Sequence, residues 1–212
     1  MLRVRIPQKQ RFILDSVTWQ SYTRFLRDFA DRHVRLTYDG GILEIMTLSH
    51  EHERLSEFLG VLIYVLTQGM QLPLALGGST TFRRRKKEKG LEPDKCYWIG
   101  NAKCVRGKKK IDLRVDPPPD LAVEVDISRS SLDRMAIYAA IGVVEVWRYA
   151  DDTLTFWVLS SNGNYVASPK STLFPVEIKP GELMPFIRRY DRDEVHEIME
   201  DVQAWVEERS SP

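Results

Sequence analysis

Cysteine is scarce in this chain: Cys96 and Cys104 are the only two in 212 residues. Two thiols build no disulfide framework, and without matching histidines nearby they make a poor zinc site. Reduced thiols in a cytosolic setting are therefore expected. Long apolar runs are also missing. The longest, FLGVLIYVL at 58–66, falls far short of the roughly 20 residues that span a bilayer. The first residues, MLRVRIPQKQR, are basic but carry neither an apolar core nor a cleavage site of a secretory signal. A soluble, cytoplasmic protein without membrane contact is the expectation. Charge of one sign is not in excess either: 31 basic against 30 acidic residues give +1, so no global field draws the chain to nucleic acid, although local patches still can. There is no glycine-rich phosphate loop, no Gly-x-Ser-x-Gly elbow and no Cys–His pairing at catalytic spacing, which removes the P-loop and covalent-nucleophile classes. No repeat or low-complexity stretch interrupts a composition 43% hydrophobic and 29% charged, ordinary for one folded domain spanning 1–212.

What is present reads as α+β. Residues 15–32 open with cap-type residues and set Trp19, Tyr22, Phe25, Leu26 and Phe29 at helical spacing. Residues 34–47 read as two strands around Asp39-Gly40-Gly41, a hairpin signal. Ser49 is placed to cap a long helix over 49–69, with Leu55, Phe58, Leu59, Leu62, Ile63 and Leu66 on one side. Strands are expected at 74–84 and 94–100, separated by the basic loop RRRKKEKG. A turn at RGKKK (106–110) leads to IDLRV, and PPP (117–119) breaks the ladder. A strand over 120–128, a helix over 130–142 closed by Gly142, and a strand over 143–149 form a crossover that makes the two strands parallel neighbours. TLTFWVL (153–159) pairs back by hairpin, and 192–209 is an acidic amphipathic helix. The architecture is a mixed sheet with a meander and one strand-helix-strand crossover, helices on its faces. A helical extension occupies about 12–33, the core about 34–160, and a C-terminal strand and helix about 161–209.

The chemistry is expected where carboxylates converge. In DLAVEVDIS (120–128), side-chain alternation buries Val123 and Val125 on one side and sets Glu124 and Asp126 on the other, about 6–7 Å apart. Such a pair calls for water, a proton or a cation between its members. Glu-Pro-Asp (92–94) puts Asp94 at the start of a strand that a meander can lay beside Glu124. Carboxylates from two strands suit a hard divalent cation, Mg²⁺ or alternatively Mn²⁺, which would polarise a phosphoryl oxygen and activate a bound water. Arg134 follows on the next helix and could steady transition-state charge. Asp120 shares the strand face of Glu124, but four residues put it about 13 Å away; a turn-capping role is expected for it. Glu44, between apolar neighbours in ILEIM, either joins the acidic cluster or faces outward.

Taken in order, EPD, a thirty-residue gap, VEVDIS, and D-R-x-x-x-Y-A-x-x-G-V-x-E-V-W (133–147) resemble the Uma2 family, formerly a domain of unknown function. GGILEIMTLSHEHE (40–53) extends the resemblance, which covers about residues 35–160. It implies a restriction-endonuclease-like core of the PD-(D/E)xK superfamily and metal-dependent endonuclease activity on DNA. Carried over, Asp94 and Glu124 hold the metal with the Val125 carbonyl as a further ligand. His52 matches the family's histidine; alternatively His50 and His52 are polar residues at a helix start. The lysine of the superfamily pattern is replaced by Asp126, which would tune or extend the metal site. Uma2-like sequences place a lysine four residues before the helix tyrosine. Counting back from Tyr138 gives Arg134 instead, a phosphate clamp that cannot act as a base at neutral pH.

RRRKK (83–87) and RGKKK (106–110) together carry nine basic residues on two loops flanking the Asp94 strand. Arg84, Arg85, Lys86, Lys108 and Lys109 are candidates for sequence-blind contacts to a DNA backbone; the alternative is a pair of solvated loops. Trp98, Trp147, Phe156 and Trp157 are core packing first, and exposed strand aromatics would suit a homodimer. Two rivals follow. The lysine replacement favours a nuclease-fold DNA-binding or scaffold protein without catalysis. A dimeric interaction module would bind no metal.

Overall fold

The computed structural model describes residues 10–126 and 132–210. Among the described residues eleven strands form two sheets. A five-stranded antiparallel sheet comprises β1 (Arg11–Leu14), β2 (Val34–Asp39), β3 (Ile42–Thr47), β5 (Phe82–Arg84) and β6 (Lys89–Leu91) in the order β1-β3-β2-β6-β5. The other contains β4 (Ala75–Leu76), β7 (Lys95–Trp98), β8 (Leu121–Asp126), β9 (Glu145–Ala150), β10 (Thr153–Leu159) and β11 (Tyr165–Ser168) in the order β11-β10-β9-β8-β7-β4. Of its pairings only β8 with β9 is parallel, joined through α4 (Arg134–Ile141) as the crossover predicts. The expected limits at Ser128 and Ser130 lie in 127–131, outside the described residues.

Local chemistry sets these elements. Gly40 and Gly41 adopt φ of 50° and 101°, the positive values a tight hairpin needs, and Asp39 pairs with Ile42 across it. Ser49 Oγ accepts the His52 N–H at 3.2 Å and starts α2 (His50–Gly69). Gly142 closes α4 at φ 94°. Alternation along β8 sends Val123 and Val125 into a core with α2, α5 (Pro180–Ile187) and α6 (Val195–Ser210). On the other face Ala122 packs with Ile137, Tyr138 and Ile141 of α4. A third core sets Tyr22 of α1 (Trp19–Asp28) against Leu36, Tyr38 and Leu43, with Tyr22 stacked on Tyr38 at 4.7 Å.

The expected single meander splits in two. Run 74–84 breaks at Gly77-Gly78, so β4 joins β7 while β5 joins β6. A Cβ at Gly77 would collide with Cys96 Sγ and the Trp98 ring; the chain crosses here because that side chain is missing. The basic loop is a hairpin, β5 and β6 around a single 3₁₀ turn, Arg85–Lys87. Residues 111–115 form no strand; a short helix, α3 (Ala102–Val105), precedes the turn instead. The N-terminal helix is shorter than expected, β11 lies in the C-terminal stretch where a strand is expected, and β1 and α5 carry no strong sequence signal.

Asp120 is the structural residue its position predicts. It is buried, Oδ2 accepts the N–H groups of Ile99 at 2.7 Å and Asn101 at 2.9 Å, and Oδ1 accepts Asn101 Nδ2 at 2.6 Å. Asp120→Ala leaves those donors without their acceptor, so a loss of about 2–4 kcal/mol is expected. Thermal melting checks it. A change too small to resolve would show that water replaces the carboxylate.

Candidate active site

The site lies where the two sheets meet. In β2 and β3 the alternation Arg35-Leu36-Thr37-Tyr38 and Leu43-Glu44-Ile45-Met46 turns Leu36, Tyr38 and Leu43 toward α1. Thr37 and Glu44 are register partners, as are Arg35 and Met46, which leaves a polar row on the opposite face. From the other sheet, Asp94 sits just before β7. Its N–H donates to the Val123 carbonyl at 3.2 Å, and its Oδ2 accepts the Val125 N–H at 2.7 Å. Adjacent antiparallel strands thus hold Asp94 beside Glu124, as the sequence predicts. A crevice of about 280 Å³ is lined by Glu44, His52, Asp94, Glu124, Val125, Asp126 and Arg134, with Arg11 and Met46.

Each carboxylate has its own holders. His52 is buried in the first turn of α2, its Nε2 3.1 Å from Asp94 Oδ2. His50 is exposed, so of the two histidines only His52 joins the site. Glu124 Oε1 accepts Arg134 Nη2 at 2.6 Å and the Tyr138 hydroxyl. These donors stand four residues apart on α4, one turn, and therefore address the same point. Glu44 is buried rather than outward-facing, its Oε2 3.3 Å from Arg11 Nε.

Burial by itself would raise the Asp94 pKa. The hydrogen bond and charge of His52, the charge of Arg134 and the Val125 N–H outweigh it and hold Asp94 below the usual range. For Glu124 burial wins, with the Asp94 charge adding to it, and its pKa is raised against the pull of Arg134 and Tyr138. Two carboxylates with opposed shifts form an asymmetric, electron-rich pair.

Three sequence assignments need correction here. Arg134, expected to clamp phosphate, is 14% exposed and commits its donors inside the protein. Nη2 serves Glu124 and the Glu92 carbonyl at 2.9 Å, and Nη1 serves Thr37 Oγ1 at 2.7 Å. It orients Glu124 through donors spent locally, while its Nε is buried without a hydrogen-bond partner. Asp126 lines the crevice, but its Oδ2 accepts Arg148 Nη2 from β9 at 2.8 Å, a pairing that offsets the charge meant to extend the metal site. Among the proposed backbone contacts, Arg84 also turns inward, giving Nε and Nη2 to the Ile141 carbonyl at 3.1 and 2.8 Å. It caps the C-terminus of α4. Arg85, Lys86, Lys108 and Lys109 are exposed, Lys108 being paired with Asp116.

Tyr138, Arg11, Arg35 and Glu92 are site neighbours that sequence reasoning left unassigned. For Tyr138 a signal existed in its four-residue spacing from Arg134. Glu92 comes with Asp94, two residues on, while Arg11 and Arg35 reach the site only through strand pairing.

The donors suit a hard ion more than zinc. Among the described residues no three His, Cys, Asp or Glu side chains form a ready metal cage. What the crevice offers is carboxylate oxygen. Glu124 Oε2 takes no hydrogen bond from the described residues. The Val125 carbonyl, two residues beyond the one that receives the Asp94 N–H, points to the same side of β8. One or two carboxylates with a carbonyl and several waters is the habit of Mg²⁺.

An α+β core that brings carboxylates from neighbouring strands under the helix of a crossover defines a restriction-endonuclease-like fold. The Uma2 family, described as "Putative restriction endonuclease", matches residues 19–185, and the chain belongs to that family. A crystal structure of "a putative nuclease belonging to DUF820" from Anabaena variabilis is similar in fold. Its TM-score is 0.50 at 11% identity, over 72% of this chain and 90% of that one. No protein with a curated description matches. Among the described residues no helix is long and apolar enough to cross a membrane.

Proposed function

We propose that this protein is a metal-dependent endonuclease hydrolysing phosphodiester bonds of DNA. The observation that carries the reading is the meeting of Asp94 and Glu124 from adjacent strands, one oxygen of Glu124 taking no hydrogen bond from the described residues. Asp94, Glu124 and the Val125 carbonyl would hold Mg²⁺ or Mn²⁺, with Glu44 next to them. When bound, the ion supplies Lewis-acid polarisation of the phosphoryl oxygen and a more acidic water. His52 fixes Asp94, and Arg134 with Tyr138 fixes Glu124, so the carboxylates need no rearrangement as charge develops. Arg85, Lys86, Lys108 and Lys109 supply non-specific attraction to the DNA backbone.

One observation favours the second reading, a nuclease-fold DNA-binding protein that does not cut: among the described residues no lysine lines the crevice. Nicking of supercoiled plasmid decides between them. Wild type and Asp94→Asn are purified in parallel and assayed with Mg²⁺, Mn²⁺ and EDTA. Relaxed and linear products that need the metal and vanish in the variant are expected. DNA binding without nicking selects the second reading. Equal nicking by both proteins shows that the activity lies elsewhere.

A further inference from the structure

Arg134 is spent on Glu124, which leaves open what meets the phosphate. A second cleft, about 860 Å³ of open space, is lined by Arg35, which stands beside Asp94. Its walls include Arg32, His33, Arg35, Ser79, Glu53 and Glu92. Arg35 forms the partition. Its Nη1 lies 3.5 Å from Glu92 Oε2 and its Nε 4.0 Å from Asp94 Oδ1. Its side chain makes no hydrogen bond to a described residue, and Nε is buried without a hydrogen-bond partner. The side chain is only 14% exposed.

A guanidinium so enclosed, ion-paired but without a hydrogen bond to a described residue, is costly in a folded protein and leaves room for a ligand. The carboxylate oxygens that face it, Glu92 Oε2 and Asp94 Oδ1, offset its charge from 3.5 and 4.0 Å without closing a hydrogen bond to it. The other oxygens are engaged elsewhere: Glu92 Oε1 accepts Thr81 Oγ1 at 2.5 Å, Asp94 Oδ2 is held by His52 and Val125, and Glu53 stands 3.5 Å from His52 Nδ1. The cleft mouth adds positive charge from Arg32, which lies 5.7 Å over the Phe29 ring. The Gly77–Thr81 loop links this cleft to a basic one. Ser79 lines the first, while Thr80 and Thr81 line the second beside Arg83, Lys109 and Lys110.

We propose that the Arg35 cleft is a phosphate subsite for the DNA strand being cut, Arg35 binding the non-bridging oxygens of a phosphate beside the Asp94–Glu124 pair. This rests on the nuclease reading and deepens it. A planar fork with free donors matches phosphate geometry bidentately, and the basic cleft continues the track for the flanking backbone.

The test is affinity for a short labelled duplex in Ca²⁺ across a salt series, with steady-state cleavage in Mg²⁺, for wild type, Arg35→Gln and Arg35→Lys. Arg192→Gln, on the remote α5–α6 connection, is the control. Losing one phosphate contact should flatten the slope of log affinity against log salt by about 1 in Arg35→Gln. Binding should weaken by about tenfold, KM should rise by a similar factor, and kcat should change less. Arg35→Lys, which keeps the charge, should recover most of the slope. A structural role predicts the opposite pattern: a lowered melting temperature and kcat with the slope intact. An unchanged slope in Arg35→Gln while wild type cleaves overturns this subsite and leaves the nuclease reading standing. A wild-type protein that neither binds nor cleaves DNA overturns both.

Discussion

Replacing Glu124 by glutamine is expected to lower DNA cleavage by more than about 100-fold while leaving the protein as stable as wild type or more so, given that even supporting residues of a metal site are worth 10–100-fold. The two halves of that expectation have separate causes. Glutamine keeps an acceptor for Arg134 and Tyr138, so the contacts that hold the side chain persist. It removes the negative charge that would hold the ion. The stability half follows from the raised pKa of Glu124, caused by burial and then by Asp94. A carboxylate that binds its proton more tightly in the folded state destabilises the fold wherever it is ionised. That cost sets in as pH rises from the unfolded-state pKa through the folded-state one, and it persists at neutral pH. Removing the charge relieves it, the pattern of a site built for activity at the expense of stability. Paired plasmid-nicking and thermal-melting measurements check both halves. A variant that melts well below wild type would show that the ion pair with Arg134 is the dominant stabilising term. One that nicks equally would remove Glu124 from the chemistry.

The opposite substitution in the same pair gives the largest expected loss of stability. Arg134→Ala leaves Glu124 buried without its cation and strips a donor from Thr37 and from the Glu92 carbonyl. Removing one partner of a buried ion pair costs about 3–5 kcal/mol. For a domain of this size that lowers the melting temperature by roughly 6–20 °C. Arg134→Lys is the informative companion. An ammonium keeps the charge but cannot serve Thr37, Glu92 and Glu124 from one planar fork, so its melting point should fall between the two. It also restores the residue type that the family resemblance implies at this place, and cleavage at or above the wild-type rate is expected. Calorimetry with nicking assays on the three proteins reads out both effects. A melting point for Arg134→Ala within error of wild type would mean that water, not Arg134, compensates the carboxylates.

Much of the site was legible because its signals are short-range. Strand alternation paired Glu124 with Asp126, Asp39-Gly40-Gly41 announced its hairpin, and the four-residue spacing on α4 aims Arg134 and Tyr138 together. Distance along the strand was enough to set Asp120 apart from the site, and its three hydrogen bonds fit that reading. The inward turn of Arg84 onto Ile141 was not legible, because a run of basic residues carries no mark of which member meets a helix terminus 57 positions away. Arg148 gave no sign that it would pair with Asp126, since the contact exists only through the parallel register of β8 and β9.

The residues alone determined the α+β class, the crossover, the hairpin and the candidate carboxylates Asp94 and Glu124, because period, turn chemistry and strand alternation act over a few residues. The tertiary structure decided that there are two sheets, that Glu44 and His52 line the site, that Arg134 serves Glu124, and that the Arg35 side chain stands beside Glu92 and Asp94 without a hydrogen bond to a described residue. Those outcomes depend on which buried charge finds which partner across distant segments, a competition settled only when packing removes water from all of them together.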